Sequence, residues 1–322
     1  MRNILLTGGA GYIGSKVSYD LIDDNFNVII VDDLSNSNKK LIPKKAIFKK
    51  IDISNYAKLE NCFKLYKFEA VYHFAAKKKV DESQKKPLEY FNANVIGTNN
   101  LLNLIAKYKV KNFIFSSTCA IYGNSEKKKV LEDGITLPLS YYGLTKLIAE
   151  NMIRNYHKKF KFNYAILRYF NVIGSDYKNR TGEINSGSLF KNIISSLKNK
   201  KKFFVFGKNY KTKDGTCIRD YIDLNDLSEL HLLSHKYIKK KKSSILFNCG
   251  TSKPFSVLDV IKKFEDVTKN TLPKDYKKRR LGDIEKIYSD NRKQRIIFPK
   301  WKPKFSLKES VINTLRWENI KF

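Results

Sequence analysis

Short apolar runs recur along the first half of the chain, and longer stretches with a helical spacing of apolar residues separate them. The runs span residues 3–7, 27–32, 46–50, 70–74, 112–116 and 164–168. Several are rich in Val, Ile, Phe and Tyr on consecutive positions, which is typical of strands buried on both faces. Because helical stretches alternate with these strands, the pattern predicts an α/β fold with a doubly wound parallel sheet.

The stretches between the predicted strands have apolar residues every three or four positions, as amphipathic helices do. We expect these helices to cover the sheet. They span residues 15–24, 87–108 and 142–159.

The sequence pattern changes after about Ile173, where the predicted elements are shorter and are separated by Gly, Asn and Lys. We therefore expect two interleaved domains, since no Pro/Ser-rich spacer separates them. Residues 1–173, which also receive roughly residues 215–250, should form a dinucleotide-binding domain. Residues 174–322 should mainly form a smaller mixed α/β lobe.

A glycine loop, TGGAGYIG, lies at residues 7–14, between the first predicted strand and a helix that begins near Tyr12. Gly8 permits a tight turn, Gly11 lets the backbone approach a pyrophosphate, and Gly14 lets the helix pack on the strand. The helix N-terminus then faces the phosphates. The loop therefore predicts a dinucleotide site of the Rossmann type.

Acidic residues follow the second and third predicted strands. Asp32, with Asp33 beside it, can accept hydrogen bonds from the adenosine ribose and would repel a 2′-phosphate, which favours NAD over NADP. Asp52 either contacts the adenine or simply caps the end of its strand, and the sequence leaves both interpretations open.

Tyr142 and Lys146 form a YxxxK pair, which places a phenol and an ammonium group one helical turn apart on one face. A tyrosine with an ordinary pKa of about 10 is a poor base at neutral pH. We expect the lysine and a positively charged nicotinamide to stabilise the phenolate and lower that pKa. Thr118, at the end of a strand, can share a hydrogen bond with Tyr142 and a substrate hydroxyl. These residues predict redox chemistry on a hydroxyl group.

With these motifs, the chain resembles the extended short-chain dehydrogenase/reductase family, and within it the NAD-dependent epimerases and dehydratases of nucleotide sugars. The resemblance runs from Asn3 to about Trp317. It is carried by TGGAGYIG, VDDLSNS, HFAAKKKVDES, PLEYFNANVIGT, NFIFSSTCAIYG, LRYFNVIG, DGTCIRDYIDLNDL and KRRLGD. It implies reversible inversion at C4 of a UDP-hexose, UDP-glucose or UDP-galactose, by transient hydride transfer to bound NAD through a 4-keto intermediate.

The resemblance also implies roles for single residues. Tyr142 is the acid/base, Lys146 its cationic partner and the anchor of the nicotinamide ribose, and Thr118 a proton-transferring hydroxyl. The implied cofactor contacts, besides Tyr142, Lys146 and the glycines Gly8, Gly11 and Gly14, are Tyr12, Ile13, Asp32, Asn36, Asp52, Ile53, Phe74, Lys78, Asn94 and Tyr169. The implied substrate contacts are Lys78, Thr118, Tyr142, Asn171, Ser188, Leu189, Phe206, Arg219, Arg280 and Asp283.

The chain departs from the family pattern at several positions. Leu144 and Thr145 replace the usual lysine and serine, Asp223 replaces a histidine, and Ser188 replaces an Asn or His near the diphosphate. Ile287 lies near the position that gates sugar size. An epimerase or decarboxylase acting on UDP-glucuronate or UDP-N-acetylglucosamine therefore stays an alternative.

The cysteines and histidines indicate neither a disulfide framework nor a metal site. Cys62, Cys119, Cys217 and Cys249 are far apart and include no CxxC pair. His73 lies within a predicted strand, where we expect a buried structural histidine. We expect no metal ion.

The net charge of +32, from 63 basic and 31 acidic residues, would by itself favour a nucleic-acid partner. The excess is mostly lysine in short runs over the whole chain, so we interpret it as solvated surface and expect no specific nucleic-acid partner. No signal peptide or membrane-spanning run is evident, so we expect a cytoplasmic protein without a membrane partner. The resemblance implies a homodimer through helices around residues 94–108 and 142–159.

Overall fold

The computed structural model describes residues 2–125, 127–185, 187–280 and 283–322. Its strands are β1 Asn3–Thr7, β2 Asn27–Asp32, β3 Ile47–Lys50, β4 Phe68–His73, β5 Asn112–Thr118, β6 Lys129–Val130, β7 Asn163–Tyr169, β8 Asn171–Ile173, β9 Phe203–Phe206, β10 Ile218–Asp223, β11 Ile245–Cys249, β12 Pro254–Ser256, β13 Lys274–Lys277 and β14 Lys286–Ser289.

Helices alternate with these strands. They are α1 Tyr12–Asp23, α2 Tyr56–Leu65, α3 Val80–Lys85, α4 Pro87–Phe91, α5 Gly97–Lys107, α6 Tyr141–Phe160, α7 Leu189–Asn199, α8 Leu224–Lys241, α9 Val257–Thr268, α10 Arg292–Ile297 and α11 Leu307–Trp317.

The chain divides into two compact units. The first consists of Met1–Gly123, Ile135–Tyr169 and Ser228–Phe247. The second consists of Asn124–Gly134, Phe170–Leu227 and Asn248–Phe322.

The larger sheet has seven strands in the order β11-β7-β5-β4-β1-β2-β3. The pairs β1–β2, β1–β4, β2–β3, β4–β5 and β5–β7 are parallel. The order reverses beside β1, and ligands of such sheets bind at the carboxyl ends of the strands at this point. The predicted doubly wound Rossmann sheet is confirmed.

The first unit builds its core from side chains that the apolar pattern placed on buried faces. Leu5, Ile29 and Phe113 of the sheet lie in one buried cluster with Leu101 of α5 and Ile153 of α6. Their burial removes apolar surface from water and holds the helices on the sheet. The carboxyl ends of β1, β4 and β5 are thereby fixed beside the first turns of α1 and α6.

The single helix predicted for residues 87–108 is wrong in one respect. The structure has α4, then a turn of π-helix at Asn92–Ile96, and then α5. A π-turn inserts an extra residue into a helix and is often found at functional sites. Because its composition is that of an ordinary helix, apolar spacing did not distinguish it.

The second unit contains a mixed sheet in the order β12-β10-β14-β6, with β8 also paired to β10. The β10–β12 pair is antiparallel, whereas β10–β14, β10–β8 and β14–β6 are parallel. A separate parallel pair joins β13 to β9, and every residue of β13 is exposed. Ile193, Phe264 and Val311, from α7, α9 and α11, form the unit's buried core. A smaller mixed α/β lobe was predicted, and it is confirmed.

Within the described part of the chain, no helix combines the length and apolarity needed to cross a bilayer.

Candidate active site

The glycine loop brings bare backbone to the carboxyl end of β1. Gly8 has a φ of +74°, and a Cβ atom there would lie 2.4 Å from the backbone nitrogen of Ala75. A Cβ atom at Gly14 would lie 2.2 Å from the carbonyl oxygen of Gly8. Gly11 is the N-cap of α1 and contributes no side-chain hydrogen bond to its first turn. The loop therefore fits a pyrophosphate that approaches the backbone at a helix N-terminus.

Asp32 ends β2 as a buried carboxylate with a fixed orientation. Its Oδ2 accepts the backbone N–H of Ala10 at 3.0 Å, and its Oδ1 accepts the hydroxyl of Ser37 at 2.6 Å. Oδ1 also accepts the N–H of Leu34 at 2.9 Å. Burial raises the pKa of Asp32, although these hydrogen bonds oppose the rise. A ribose contact through the remaining lone pairs of this carboxylate stays a prediction.

Other predicted cofactor residues lie at the ends of the same sheet. The Phe74 ring centroid is 5.1 Å from that of His231, and Nε2 of His231 is hydrogen-bonded to the Tyr169 hydroxyl. Asp52 accepts the N–H of Ser54 at 2.8 Å, which supports a cap without testing an adenine contact. Elsewhere in this set, Tyr12 and Ile13 are half-buried, Ile53 and Asn94 are buried, and Asn36 and Lys78 are exposed.

The structure brings together the three predicted catalytic residues. Tyr142 and Lys146 lie on one face of α6, whose first turn is capped by the Ser140 side chain. Thr118, the last residue of β5, shares a hydrogen bond with the Tyr142 side chain. The Lys146 ammonium donates to the carbonyl oxygen of Ser116 at 2.8 Å. The group thus joins a phenol, a hydroxyl and an ammonium at the end of one strand.

Burial dominates the titration of this group. It raises the pKa of Tyr142 to about 12, against the opposing hydrogen bond from Thr118. It lowers the pKa of Lys146 to about 7, although the Glu150 carboxylate favours the charged form. The expected lowering of the tyrosine pKa is therefore not found in the protein alone. Lowering in the cofactor complex, which adds a positive charge, stays a prediction.

A buried ion pair, which the sequence patterns do not reveal, supports α6. Glu150, one turn after Lys146, is fully buried and pairs with Arg168 of β7 at 2.8 Å. Its carboxylate also accepts the hydroxyl of Ser117 at 2.6 Å and a guanidinium N–H of Arg154 at 2.9 Å. Arg168 donates further to the Tyr122 hydroxyl at 2.8 Å. These bonds fix α6 against β5 and β7.

Two pairs of predicted substrate residues meet within the second unit. The Arg219 guanidinium lies 3.4 Å from the Asp283 carboxylate and donates to the carbonyl oxygen of Ile218 at 3.0 Å. The Arg280 guanidinium carbon lies 4.1 Å above the centroid of the Phe206 ring. The two cations and the ring provide groups that suit a diphosphate and a flat base.

The remaining predicted substrate residues belong to other elements of this unit. Asn171 begins β8 and is exposed, whereas Ile287 of β14 is buried and lies opposite Arg219 in the β10–β14 register. Ser188 caps α7, which begins at Leu189, and its hydroxyl donates to the Glu183 carboxylate. Leu281 and Gly282 of the KRRLGD motif lie outside the described residues.

Two departures from the family pattern have partners in the structure. Asp223 accepts the N–H of Asn225 at 2.7 Å and the hydroxyl of Ser310 at 2.6 Å. Thr145 is buried, and its hydroxyl donates to the carbonyl oxygen of Tyr142 at 2.8 Å. Each replacement is therefore satisfied by hydrogen bonds.

His73 is a structural histidine, as predicted. It is buried, with Nδ1 2.6 Å from the Thr7 hydroxyl and Nε2 2.8 Å from the Thr98 hydroxyl. Burial holds its pKa well below the ordinary value. No group of three His, Cys, Asp or Glu residues suited to a metal ion occurs among the described residues.

Known proteins resemble this chain over its whole length. A UDP-glucose 4-epimerase of Halalkalibacterium halodurans is 36% identical over 318 residues, covering 98% of this chain and 95% of that protein. A UDP-glucose 4-epimerase of Stenotrophomonas maltophila, solved with NAD and formylated UDP-arabinopyranose, has a TM-score of 0.94 at 33% identity, covering 99% and 98% of the two chains. A UDP-Glc/GlcNAc 4-epimerase of Campylobacter jejuni has a TM-score of 0.86 at 35% identity, covering 99% of each.

The Rossmann sheet, the glycine loop and the Thr118–Tyr142–Lys146 group define an NAD-dependent enzyme of the extended short-chain dehydrogenase/reductase class. Residues 4–250 match the NAD dependent epimerase/dehydratase family, and the chain belongs to that family. NAD is its cofactor, in agreement with the backbone cradle at Gly8 and Gly14.

Proposed function

We propose that this protein is a UDP-sugar 4-epimerase and that it interconverts UDP-glucose and UDP-galactose. The Thr118–Tyr142–Lys146 group carries the proposal, because it joins a phenol, a hydroxyl and an amine at the end of β5, and removal of a proton from a sugar hydroxyl needs such groups. The full-length similarity to UDP-glucose 4-epimerases supports this choice of substrate.

NAD, when bound, supplies a reversible two-electron acceptor that carries a positive charge. Tyr142, as phenolate, removes the proton of the 4′-hydroxyl as C4 is oxidised to a ketone, and it returns the proton when C4 is reduced from the other face. Lys146 and the cofactor's charge favour the phenolate that burial alone disfavours. Thr118 orients the hydroxyl and helps to transfer the proton.

Inversion requires that the uridine diphosphate be held firmly while the hexose turns about its diphosphate link. Arg219 and Arg280 supply the charge for the diphosphate, and Phe206 supplies a flat apolar wall for the uracil. The Asp283 carboxylate suits a ribose hydroxyl. Contacts to the hexose itself need only be weak in this scheme.

The proposal is tested by supplying single UDP-sugars and identifying products by proton NMR. We expect UDP-glucose and UDP-galactose to reach the same equilibrium mixture from either side, without net reduction of NAD. Net reduction of NAD, loss of carbon dioxide, or turnover confined to UDP-glucuronate would contradict it.

UDP-N-acetylglucosamine is the second candidate substrate, because the similar enzyme of Campylobacter jejuni is named for both sugars. Ile287, near the expected gate for sugar size, is a buried aliphatic residue beside Arg219 in the sheet register. If Ile287 limits the space, Ile287→Ala should raise kcat/KM for UDP-N-acetylglucosamine relative to UDP-glucose. An unchanged ratio would remove Ile287 from the specificity argument.

We further propose a homodimer through the first unit. The elements α4, α6 and the π-turn contact one another. Large apolar side chains are exposed on them: Leu88, Phe91, Ile96, Tyr141 and Leu144. Such a patch is typical of a protein–protein interface. Light scattering should give twice the chain mass of 37.5 kDa, and Leu88→Asp should shift the mass toward one chain. A monomer at micromolar concentration would contradict the proposal.

A further inference from the structure

Two buried side chains, one in α4 and one in the π-turn, hold the segment that follows β4. The Tyr90 hydroxyl accepts the N–H of Lys79 at 3.0 Å and donates to its carbonyl oxygen at 2.8 Å. The Asn94 side chain binds Lys77 in the same way: its Oδ1 accepts the N–H of Lys77 at 2.8 Å, and its Nδ2 donates to the Lys77 carbonyl oxygen at 3.0 Å. Both are almost fully buried, at 1% and 2% exposed. Four hydrogen bonds therefore hold the backbone N–H and C=O groups of two alternate residues.

The spacing of the two elements explains why this arrangement fits. Four residues of helix rise about 6 Å, and two residues of extended chain advance about 6.6 Å. Tyr90 is the penultimate residue of α4 and Asn94, four residues later, lies in the π-turn. Residues four apart on a helix are neighbours on one face. Burial raises the pKa of Tyr90 to about 12, so its hydroxyl keeps the proton that it donates.

The residues on either side of Lys78 are also held by ion pairs. Lys77 pairs with Glu89 at 2.5 Å and Lys79 with Glu82 at 3.6 Å. Lys78 itself is exposed. The backbone on both sides of Lys78 is therefore fixed by the protein.

Asn94 also connects this segment to α6. Its amide donates to the Thr145 hydroxyl at 3.0 Å, and that hydroxyl donates to the carbonyl oxygen of Tyr142. A continuous hydrogen-bonded path thus runs from Lys77 to the first turn of α6.

We infer that Tyr90 and Asn94 form a clamp that positions residues 77–79 for NAD binding, and that Thr145 couples this clamp to Tyr142. Tyr90 and Thr145 are positioning residues in this scheme, since they act through the backbone of other groups. The expected Lys78 contact to NAD rests on the proposed assignment of site residues.

The test is calorimetric titration of NAD into the full chain, with thermal unfolding measured in parallel. Tyr90→Phe removes one oxygen and leaves the Lys79 peptide groups without their partner, so we expect NAD to bind about tenfold more weakly. Tyr156→Phe is the matched control, because its hydroxyl bonds Asn99 and Asn103 in the same unit without touching the segment. It should leave NAD affinity unchanged even if it lowers the unfolding temperature.

Equal NAD affinity in Tyr90→Phe and the wild type would overturn the clamp, whatever the change in stability. Lys78→Ala tests the underlying assignment separately: unchanged affinity there removes the Lys78 contact but leaves the Tyr90 result to decide the clamp. For the coupling to Tyr142, Thr145→Val should lower kcat several-fold with KM unchanged, and Thr145→Ser should restore it. Equal kcat in both Thr145 variants would overturn the coupling.

Discussion

The residues expected to do chemistry and those expected to hold the nucleotide differ in how the protein supports them. Lys146 and Thr118 are buried, and each has a hydrogen bond shorter than 3.2 Å. Glu150, whose ion pair supports α6, is buried as well. Arg219 bonds a backbone carbonyl at 3.0 Å but meets its carboxylate partner only at 3.4 Å, and Arg280 is exposed over an aromatic ring. The protein therefore holds the predicted catalytic groups more tightly than the predicted nucleotide groups.

The contrast predicts a division of kinetic effects. Groups fixed by the protein should act mainly on kcat or stability, because binding a ligand adds little to their orientation. Groups that are only loosely held should act mainly on KM, since their contacts are completed by the ligand.

The largest effect is expected from Tyr142→Phe, which removes the acid/base group. General acid–base catalysis typically contributes about 10²–10⁴-fold, so kcat for UDP-glucose should fall by about that factor. NAD should still bind to the variant, as measured by calorimetry. Full turnover in this variant would refute the assigned chemistry.

Next in size is the loss of stability in Glu150→Gln, which leaves Arg168 buried without its counter-charge. Breaking a buried ion pair costs about 3–5 kcal/mol of unfolding free energy, measured by urea titration. Asp266→Asn is the control, because it breaks an exposed pair with Lys263 and should cause no resolvable change. Similar small effects in both variants would show that the buried pair does not hold α6.

A smaller and purely kinetic effect is expected from Arg219→Ala. Loss of charge-assisted hydrogen bonds to a diphosphate should raise KM for UDP-glucose about 10- to 100-fold, with kcat changed less than about threefold. Arg292, whose side chain is 69% exposed, provides the control, and Arg292→Ala should behave like the wild type. If Arg219→Ala mainly lowered kcat, the predicted catalytic and nucleotide-binding groups would not differ in their kinetic effects.

The smallest effect concerns pH. The pKa of Lys146 is about 7 in the folded protein and 10.5 for an ordinary lysine, so between these values the unfolded chain binds more protons. Relative to Lys146→Met, the wild type should therefore gain unfolding free energy as pH rises above 7, by at most about 1.4 kcal/mol per pH unit. Parallel urea titrations of both proteins at pH 7, 8 and 9 measure this difference in unfolding free energy. If the difference stays constant or falls as pH rises, Lys146 remains charged in the folded protein.

The sequence predicts much of the fold because strand burial and glycine spacing are local signals. Gly8 and Gly14 stand where a Cβ atom would collide with backbone, and the YxxxK spacing places Tyr142 and Lys146 on one helical face. Both features follow from residues close together in the chain.

Long-range partners could not be predicted in this way. Glu150 and Arg168 form an ion pair between two different elements, α6 and β7. Nothing in the sequence position of either residue identifies the other as its partner. The Tyr90 and Asn94 contacts depend on a π-turn, which apolar periodicity does not separate from an ordinary helix. Burial strong enough to move the Lys146 pKa is likewise a property of the assembled core.

Lysines on the exposed strand β13 bear on how the protein behaves in concentrated solution. In the described chain it pairs only with β9, so its other side leaves an open backbone edge on which a strand of another molecule could add. Lys274 and Lys277 stand on that edge strand, and stacking two such edges would bring like charges together and dehydrate them. The lysines thereby oppose aggregation where the backbone would otherwise invite it.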